Sequence, residues 1–422
     1  MKQNKNSVLI FIFSILISSV YAQEKQVSSL LSNYGLGTVF SEATVTEKAQ
    51  GDLSVINNNT EEVISIANPA LLSHLQLTSF TVSLNVLGSN VETQNSSYSA
   101  SAISLSNLSL GIPLGPKGGV AIGLRANSAV GFEVESDNFY DYGNGGVNQA
   151  YFGIGYEVLK GLSLGAQISQ YFGKTEKRQA FKGVQQSTVY DHNFNVSGTS
   201  VKLGAEYSYR LSERIEAKFG ATGVLAYNVT ATGTSRFFEA IQTDENIFSE
   251  IGDSAQEKNT EGTKKTPFKS VLGIGLGERN HWFAGLSYEN QDALSYSGGP
   301  FNQTLSTATD RPLSFEASNK ISLGGYIIPK KYALKNYFNR VAYRAGLKYE
   351  NTGLVLNNSS VKNLGMSFGF GLPVGKRVSY LNLSFELGRI GDTSKNNYQE
   401  EYFNVGIDFS LSDKWFNKRV ID

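Results

Sequence analysis

The sequence predicts an all-β chain: a transmembrane antiparallel β-barrel of about fourteen strands with an N-terminal hatch, or plug. Three observations carry that prediction. From residue 75 almost to the end, apolar and polar residues alternate with a period of two, the spacing of a strand with one greasy and one wet face. The links between these runs alternate between short and long, as they do when turns gather at one end of a barrel and loops at the other. Only 18% of the 422 residues are charged, while Gly reaches 43 and aromatics 12%; strands in a membrane wall favour that mix over soluble helices.

The chain opens with Lys2 and Lys5, an apolar run over 8–20, and Val20-Tyr21-Ala22 before Gln23. This is the pattern of a cleaved secretory leader over residues 1–22. The run is too short for a comfortable membrane span of about 20 residues. Residues 23–74 differ from all that follows. They are mostly polar and end in Ile64-Ser-Ile-Ala-Asn68-Pro69-Ala70-Leu71-Leu72. Proline admits helix only in its first turn, and the segment has too few apolar residues for a core of its own. It reads as a hatch, with the barrel over residues 75–422.

Strands are expected at 75–87, 98–113, 118–134, 146–159, 162–175, 187–210 and 214–231. They continue at 268–276, 281–290, 313–328, 339–351, 360–372, 378–389 and 399–411. Phe152, Ile154, Tyr156 and Val158 alternate with Tyr151, Gly153, Gly155 and Glu157; Leu381, Leu383, Phe385 and Leu387 alternate with Asn382, Ser384, Glu386 and Gly388. Short links fall at 114–117, 160–161, 211–213, 277–280 and 373–377, with a longer one at 329–338. Long polar links fall between them, at 88–97, 135–145, 176–186, 232–267, 291–312, 352–359 and 390–398. The last strand must pair with the first, because lipid leaves no edge unpaired. A secreted string of sandwich modules would repeat at roughly 100 residues, and no such repeat is visible.

Other chemistry finds little support. There is no Cys, and Lys+Arg equals Asp+Glu at 37 each. Neither thiolate chemistry nor a basic nucleic-acid surface is indicated. The three His are scattered. Asp191-His192 is either half of an outward-facing dyad or a polar rim. Gly273-Ile-Gly275-Leu-Gly277 lacks the spacing of a nucleotide loop. The expectation is a non-enzyme without cofactor or metal. Charges that alternation sends to the lumen are Arg125, Glu157, Lys202, Glu206, Glu216, Lys218, Lys320, Arg344, Lys348 and Glu386. They serve either to pair with one another and hold the hatch or to bind an acidic head group. The loop expected at 232–267 carries Phe237, Phe238, Ile241 and Phe248, which either capture an apolar ligand or pack on themselves.

Fourteen strands preceded by a hatch that ends in Asn68-Pro69-Ala70, followed at once by Leu71-Leu72 and the first strand, resemble the FadL-type long-chain fatty-acid transporter family. Gly35-Leu-Gly37 and the closing Asp413-Lys414-Trp415-Phe416 add to the likeness. The resemblance implies residence in the outer membrane of a Gram-negative bacterium, as a monomer among outer-membrane lipid. It implies passive uptake of a hydrophobic small molecule such as a long-chain fatty acid. Ligand would leave sideways through a kink in the third strand, where the alternation loosens at Asn127, Ser128 and Gly131. Some relatives serve instead as non-transporting partners of secretion or surface-assembly machines, which is the alternative expectation.

Overall fold

The computed structural model describes residues 29–57, 64–93, 97–244, 247–302, 313–374 and 379–413. The leader expected at 1–22 and the Trp415-Phe416 pair lie outside them. Fourteen antiparallel strands close into one barrel. They begin with β1 Thr78–Thr93, β2 Ser97–Pro113, β3 Gly118–Ser136, β4 Phe139–Leu159, β5 Leu162–Lys182 and β6 Ser187–Arg210. The seventh, β7, is Ile215–Val224, resumed as Tyr227–Asp244; β8 is Gln256–Thr266, resumed as Lys269–Glu278. The circuit finishes with β9 Trp282–Gln291, β10 Ser318–Ile327, β11 Ala342–Leu356, β12 Ser359–Pro373, β13 Ser379–Asp392 and β14 Tyr398–Asp413. Each pairs with its sequence neighbours, and β14 closes on β1, with Phe409 opposite both Leu381 and Val82.

The two faces sort as the period of two demands. Phe152 and Tyr156 on β4 are about half exposed, at 48% and 51%, while Tyr151 between the same strands is buried at 3%. On β14, Phe403 and Leu411 look outward, whereas Asp408 and Ser410 are buried. Apolar side chains exposed in a belt on a closed barrel are what lipid solvates; the polar groups point where water or the plug can satisfy them.

Several boundaries move. The first strand starts at Thr78, not residue 75, because Leu75 caps the short 3₁₀ helix Pro69–His74 and is buried with Ile64, Ile66 and Leu72. Strands β4, β5, β7 and β8 run far past the expected ends, while β6 keeps its expected bounds, so the link expected at 232–267 is mostly strand: the upper part of β7, a short strand Ile247–Glu250 folded back on it, and the start of β8. The reason is solvent. Above the lipid nothing requires a greasy outer face, so the alternation fades while Thr, Tyr and Phe keep the chain extended. One side of the barrel thereby rises as a tall wall above the rest.

Ahead of β1, the described part of residues 29–74 lies against the inner faces of the strands. It carries the 3₁₀ turn Leu30–Asn33, a two-residue strand Thr38–Val39, the one-turn helix α1 Val45–Lys48 and the 3₁₀ turn Pro69–His74. Thr44 caps α1, and Glu47 returns its carboxylate to the Thr44 N–H (2.8 Å), a complete capping box. The Pro69–His74 turn touches β2 to β6, and α1 touches β12 to β14 on the far side. The segment therefore spans the lumen.

Candidate functional site

The lumen is built where this inner segment meets the wall. Asn68, Pro69 and Ala70 sit at its lower end. Asn68 donates from Nδ2 to the carbonyls of Val55 (2.8 Å) and Ala205 (3.2 Å), and its Oδ1 accepts from the Ala70 N–H (3.0 Å). One side chain thus caps a turn, ties it to the preceding chain at Val55 and binds it to β6. Pro69 follows as the first helical residue, where it lacks nothing.

Beneath the turn the wall is bare backbone. A Cβ at Gly165 would stand 2.3 Å from the Pro69 carbonyl carbon, and one at Gly204 2.2 Å from Asn68 Oδ1. On the opposite wall a Cβ at Gly324 would stand 2.0 Å from the Gln50 carbonyl oxygen. Every strand from β2 to β12 places a glycine against the inner segment in this way, among them Gly119, Gly155, Gly220, Gly273, Gly346 and Gly369. Glycine in a strand interior weakens it, and its return here is close approach of a second backbone. This accounts for much of the glycine on the inner faces.

Charge fixes the same segment from both sides. Glu42 lies 2.5 Å from Lys202 and 3.8 Å from Arg125. Arg125 also donates to the carbonyls of Phe40 (3.1 Å) and Ser41 (2.8 Å) and to Gln149 Oε1 (2.9 Å), and Lys202 donates to the Ile66 carbonyl (3.1 Å). Across the lumen Asp52 lies 3.4 Å from Lys348 and 3.8 Å from Lys320. Lys348 also pairs with Glu386, and Lys320 with Glu289 at 3.4 Å. Burial alone would raise both plug carboxyls. Instead Lys202, Lys269 and Arg125 hold Glu42 far below the usual range, and Lys348 and Lys320 hold Asp52 down at about 2. At the lower mouth Glu206 joins Lys218 (2.8 Å) and His74. Arg344 donates to Asn382 Oδ1 (3.3 Å).

Glu42 and Asp52, the inner segment's own half of these pairs, are site residues that the alternation could not reveal, because the segment has no period. The signal available was Thr44-Val-Thr-Glu47, whose capping-box spacing marks a helix start just after Glu42.

The third strand is irregular at Asn127. Its register with β4 slips between Ala126 and Ser128, so Asn127 is the extra residue of a bulge. Gly131 is not the bulge; its N–H donates to the Ser32 hydroxyl oxygen (3.1 Å) and its carbonyl accepts from the Ser29 N–H (3.2 Å). Below the bulge β2 pairs with β3 only from Asn107 opposite Arg125 downward. Above it, Thr38–Val39 pairs with Ala129 and Ser128 instead, Phe40 N–H reaches the Asn127 carbonyl (2.8 Å), and Ser128 donates to the Leu36 carbonyl (2.8 Å). The inner segment thus occupies a strand edge that β2 has released, and Val39 remains 55% exposed in the seam.

The aromatic residues expected in an external loop lie on the strands of the tall wall. Phe238 is buried against Tyr140, Ala180, Val189 and Ala240, with Phe248 packed on that cluster. Phe237 faces the other way and contacts Tyr190, ring centroids 5.0 Å apart, in a row continued by Phe181 and Phe139. Ile241 is half exposed. Asp191 and His192 point to opposite faces: Asp191 pairs with Arg178 (2.8 Å), while His192 Nδ1 meets Ser235 Oγ at 2.9 Å. They do not form a dyad.

Comparison with known proteins adds the following. A family model described as BamG matches residues 4–422. No curated protein sequence matches the chain. Among solved structures, the CymD monoaromatic hydrocarbon channel is similar with a TM-score of 0.60 at 15% identity, covering 91% of this chain and 100% of that one. The Pseudomonas putida toluene transporter TodX gives 0.60 at 15% identity, over 89% and 99%. A Pseudomonas aeruginosa FadL homologue gives 0.56 at 10% identity, over 89% and 98%. At such identities the likeness is one of fold, and the fold is that of the FadL-type barrels.

Proposed function

The chain belongs to the BamG family, and we propose that it is an outer-membrane barrel, shut by its own plug, that works as a non-transporting subunit of a secretion or surface-assembly machine. In this reading residues 1–22 are a removed leader, 23–74 the hatch and 75–422 the barrel. One observation carries it. The plug rests on glycines of strands β2 to β12, with its own backbone directly against Gly119, Gly155, Gly165, Gly220, Gly324 and Gly346, and is ion-paired through Glu42 and Asp52 to facing walls. The space left beside it is lined by Lys202, Lys269, Lys320, Glu289 and Glu350, a lining that would have to be desolvated to admit an acyl chain. The tall wall, with its row Phe139, Phe181, Tyr190 and Phe237, supplies surface for a partner outside the membrane.

A second reading is passive uptake of a hydrophobic small molecule such as a long-chain fatty acid, with lateral exit. The seam at Asn127 favours it, as do the names of the similar structures, a toluene transporter and a monoaromatic hydrocarbon channel. Under it, Phe237, Phe238, Ile241 and Phe248 would stand along the entry route, and Arg125, Lys202, Glu206, Lys218, Arg344 and Lys348 around the lumen path.

Two measurements on one tagged protein separate the readings. The first is radiolabelled oleate uptake into liposomes holding the purified barrel. The second is the stoichiometry of what co-purifies from native outer membranes. No uptake together with a stoichiometric outer-membrane complex is the expected result. Saturable uptake by an isolated monomer overturns it in favour of the channel.

A further inference from the structure

We propose that the lumen contains a binding site for a small hydrophilic oxyanion, a carboxylate or phosphate, centred on Lys264. The site does not depend on which functional reading holds. A cavity of about 290 Å³ lies between the plug and the wall, lined among others by Tyr171, Lys202, Tyr227, Lys264, Lys269 and Lys320. It is at the small end of ligand-binding cavities, which run from about 300 Å³ upward.

The lysines around it are not equivalent. Lys202 has Glu42, Lys269 has Glu289, Lys320 has Glu289 and Asp52, and Lys348 has Asp52 and Glu386. Lys264 has no carboxylate among the described residues. It is only 8% exposed, and the contact its ammonium makes among the described residues is with the ring of Tyr296, 5.9 Å from the centroid, while Asp292 lines the same cavity outside any ion pair with it. A buried ammonium without a counterion is costly, and a ring face replaces only part of its hydration.

The neighbouring strand supplies the rest of a receptor. Val229 stands opposite Lys264 and Tyr227 opposite Thr266, and Tyr227 stacks on Tyr171 at 5.3 Å with planes 4° apart. The amine and this flat pair of phenols together line the cavity. An oxyanion there would neutralise Lys264. A long apolar tail would instead have to strip water from the ion pairs around it, so the ligand is hydrophilic beyond its charged group.

Isothermal titration of the mature barrel in detergent micelles tests this, with sodium gluconate, inorganic phosphate and sodium octanoate as probes. The variants are Lys264→Met, Lys264→Gln and, as control, Lys265→Met, whose side chain is on the exposed face. Folding of each variant is checked by heat-modifiable mobility on gels. Gluconate or phosphate should bind saturably to the wild type and to Lys265→Met. Binding should weaken roughly tenfold or more in a folded Lys264 variant, the loss of one charge-assisted contact. Which probe binds more tightly assigns carboxylate or phosphate. Undiminished binding in the Lys264 variants, no binding of either polar probe to the wild type, or tighter binding of octanoate overturns the proposal.

Discussion

The two ends of the plug are held by different physics. The lower end, Asn68 to His74, sits on a floor of glycine backbone, with Asn68 bonded once to that floor, at Ala205, and twice within the segment, to Val55 and Ala70. The upper end, Ser29 to Phe40, is held as a strand: Thr38–Val39 and the residues around it take the edge of β3 that β2 has let go. The first attachment depends on shape. The second uses generic backbone hydrogen bonds, which any extended segment can make. A seat of the first kind is permanent, whereas one of the second kind is exchangeable.

The largest effect should come from spoiling the floor. In Gly165→Val the new Cβ falls 2.3 Å from the Pro69 carbonyl carbon, and neither backbone can yield without breaking a ladder. The cost should exceed ~3 kcal/mol, at the upper end of overpacking. With the barrel intact, the plug leaves. Single-channel recording should find a closed wild type and a conducting variant. A closed Gly165→Val barrel would mean that the floor is not what holds the plug.

The next effect belongs to charge. Glu42→Gln leaves Lys202 and Arg125 facing each other's charge beside a neutral amide. Glu42 keeps 19% side-chain exposure to the lumen, so the loss should be about 2 kcal/mol, below the 3–5 kcal/mol of a fully buried pair. Limited proteolysis of the plug in intact barrels should accelerate accordingly. Asn68→Ala is smaller again. It removes a cap and two donor bonds, and about 1–2 kcal/mol of local stability should go. Amide exchange at Ala70 and Leu71 should quicken while the β6 amides stay protected. Uniform loss of protection would show that Asn68 supports the barrel and not the seat.

What the sequence reveals divides along the same line. Strand number, direction and closure are legible because lipid imposes one greasy face on every strand, as on Phe403 to Leu411. The Asn68-Pro69-Ala70 junction is legible because cap chemistry is local. The tall wall is not: on β5 the outer positions beyond Phe172 are Lys174, Glu176 and Arg178, since no lipid selects their polarity, and the strand looks like a loop. The ion pairs of Glu42 and Asp52 are hidden for another reason. Each joins residues far apart in sequence, 160 positions for Glu42 and Lys202, and no local pattern encodes such a partner. Inner-face glycines such as Gly165 and Gly204 were visible all along, yet a glycine alone does not say which backbone approaches it.

The smallest perturbation is the most informative about function. Phe40→Pro removes one donor, the N–H that reaches the Asn127 carbonyl at 2.8 Å, and should cost about 1 kcal/mol. The floor and the ion pairs remain, so the plug stays while its upper strand loosens from β3. The chain has no cysteine, so Val39→Cys gives a clean reporter in the seam. Its alkylation by a membrane-permeant maleimide should rise severalfold in the Phe40→Pro background. Oleate uptake then decides what the seam is for. If the upper strand merely completes the wall, labelling rises and uptake stays at zero, in keeping with a barrel that serves a partner. If the strand is the latch of a lateral exit, uptake appears with the labelling, and the exchangeable end of the plug is a gate.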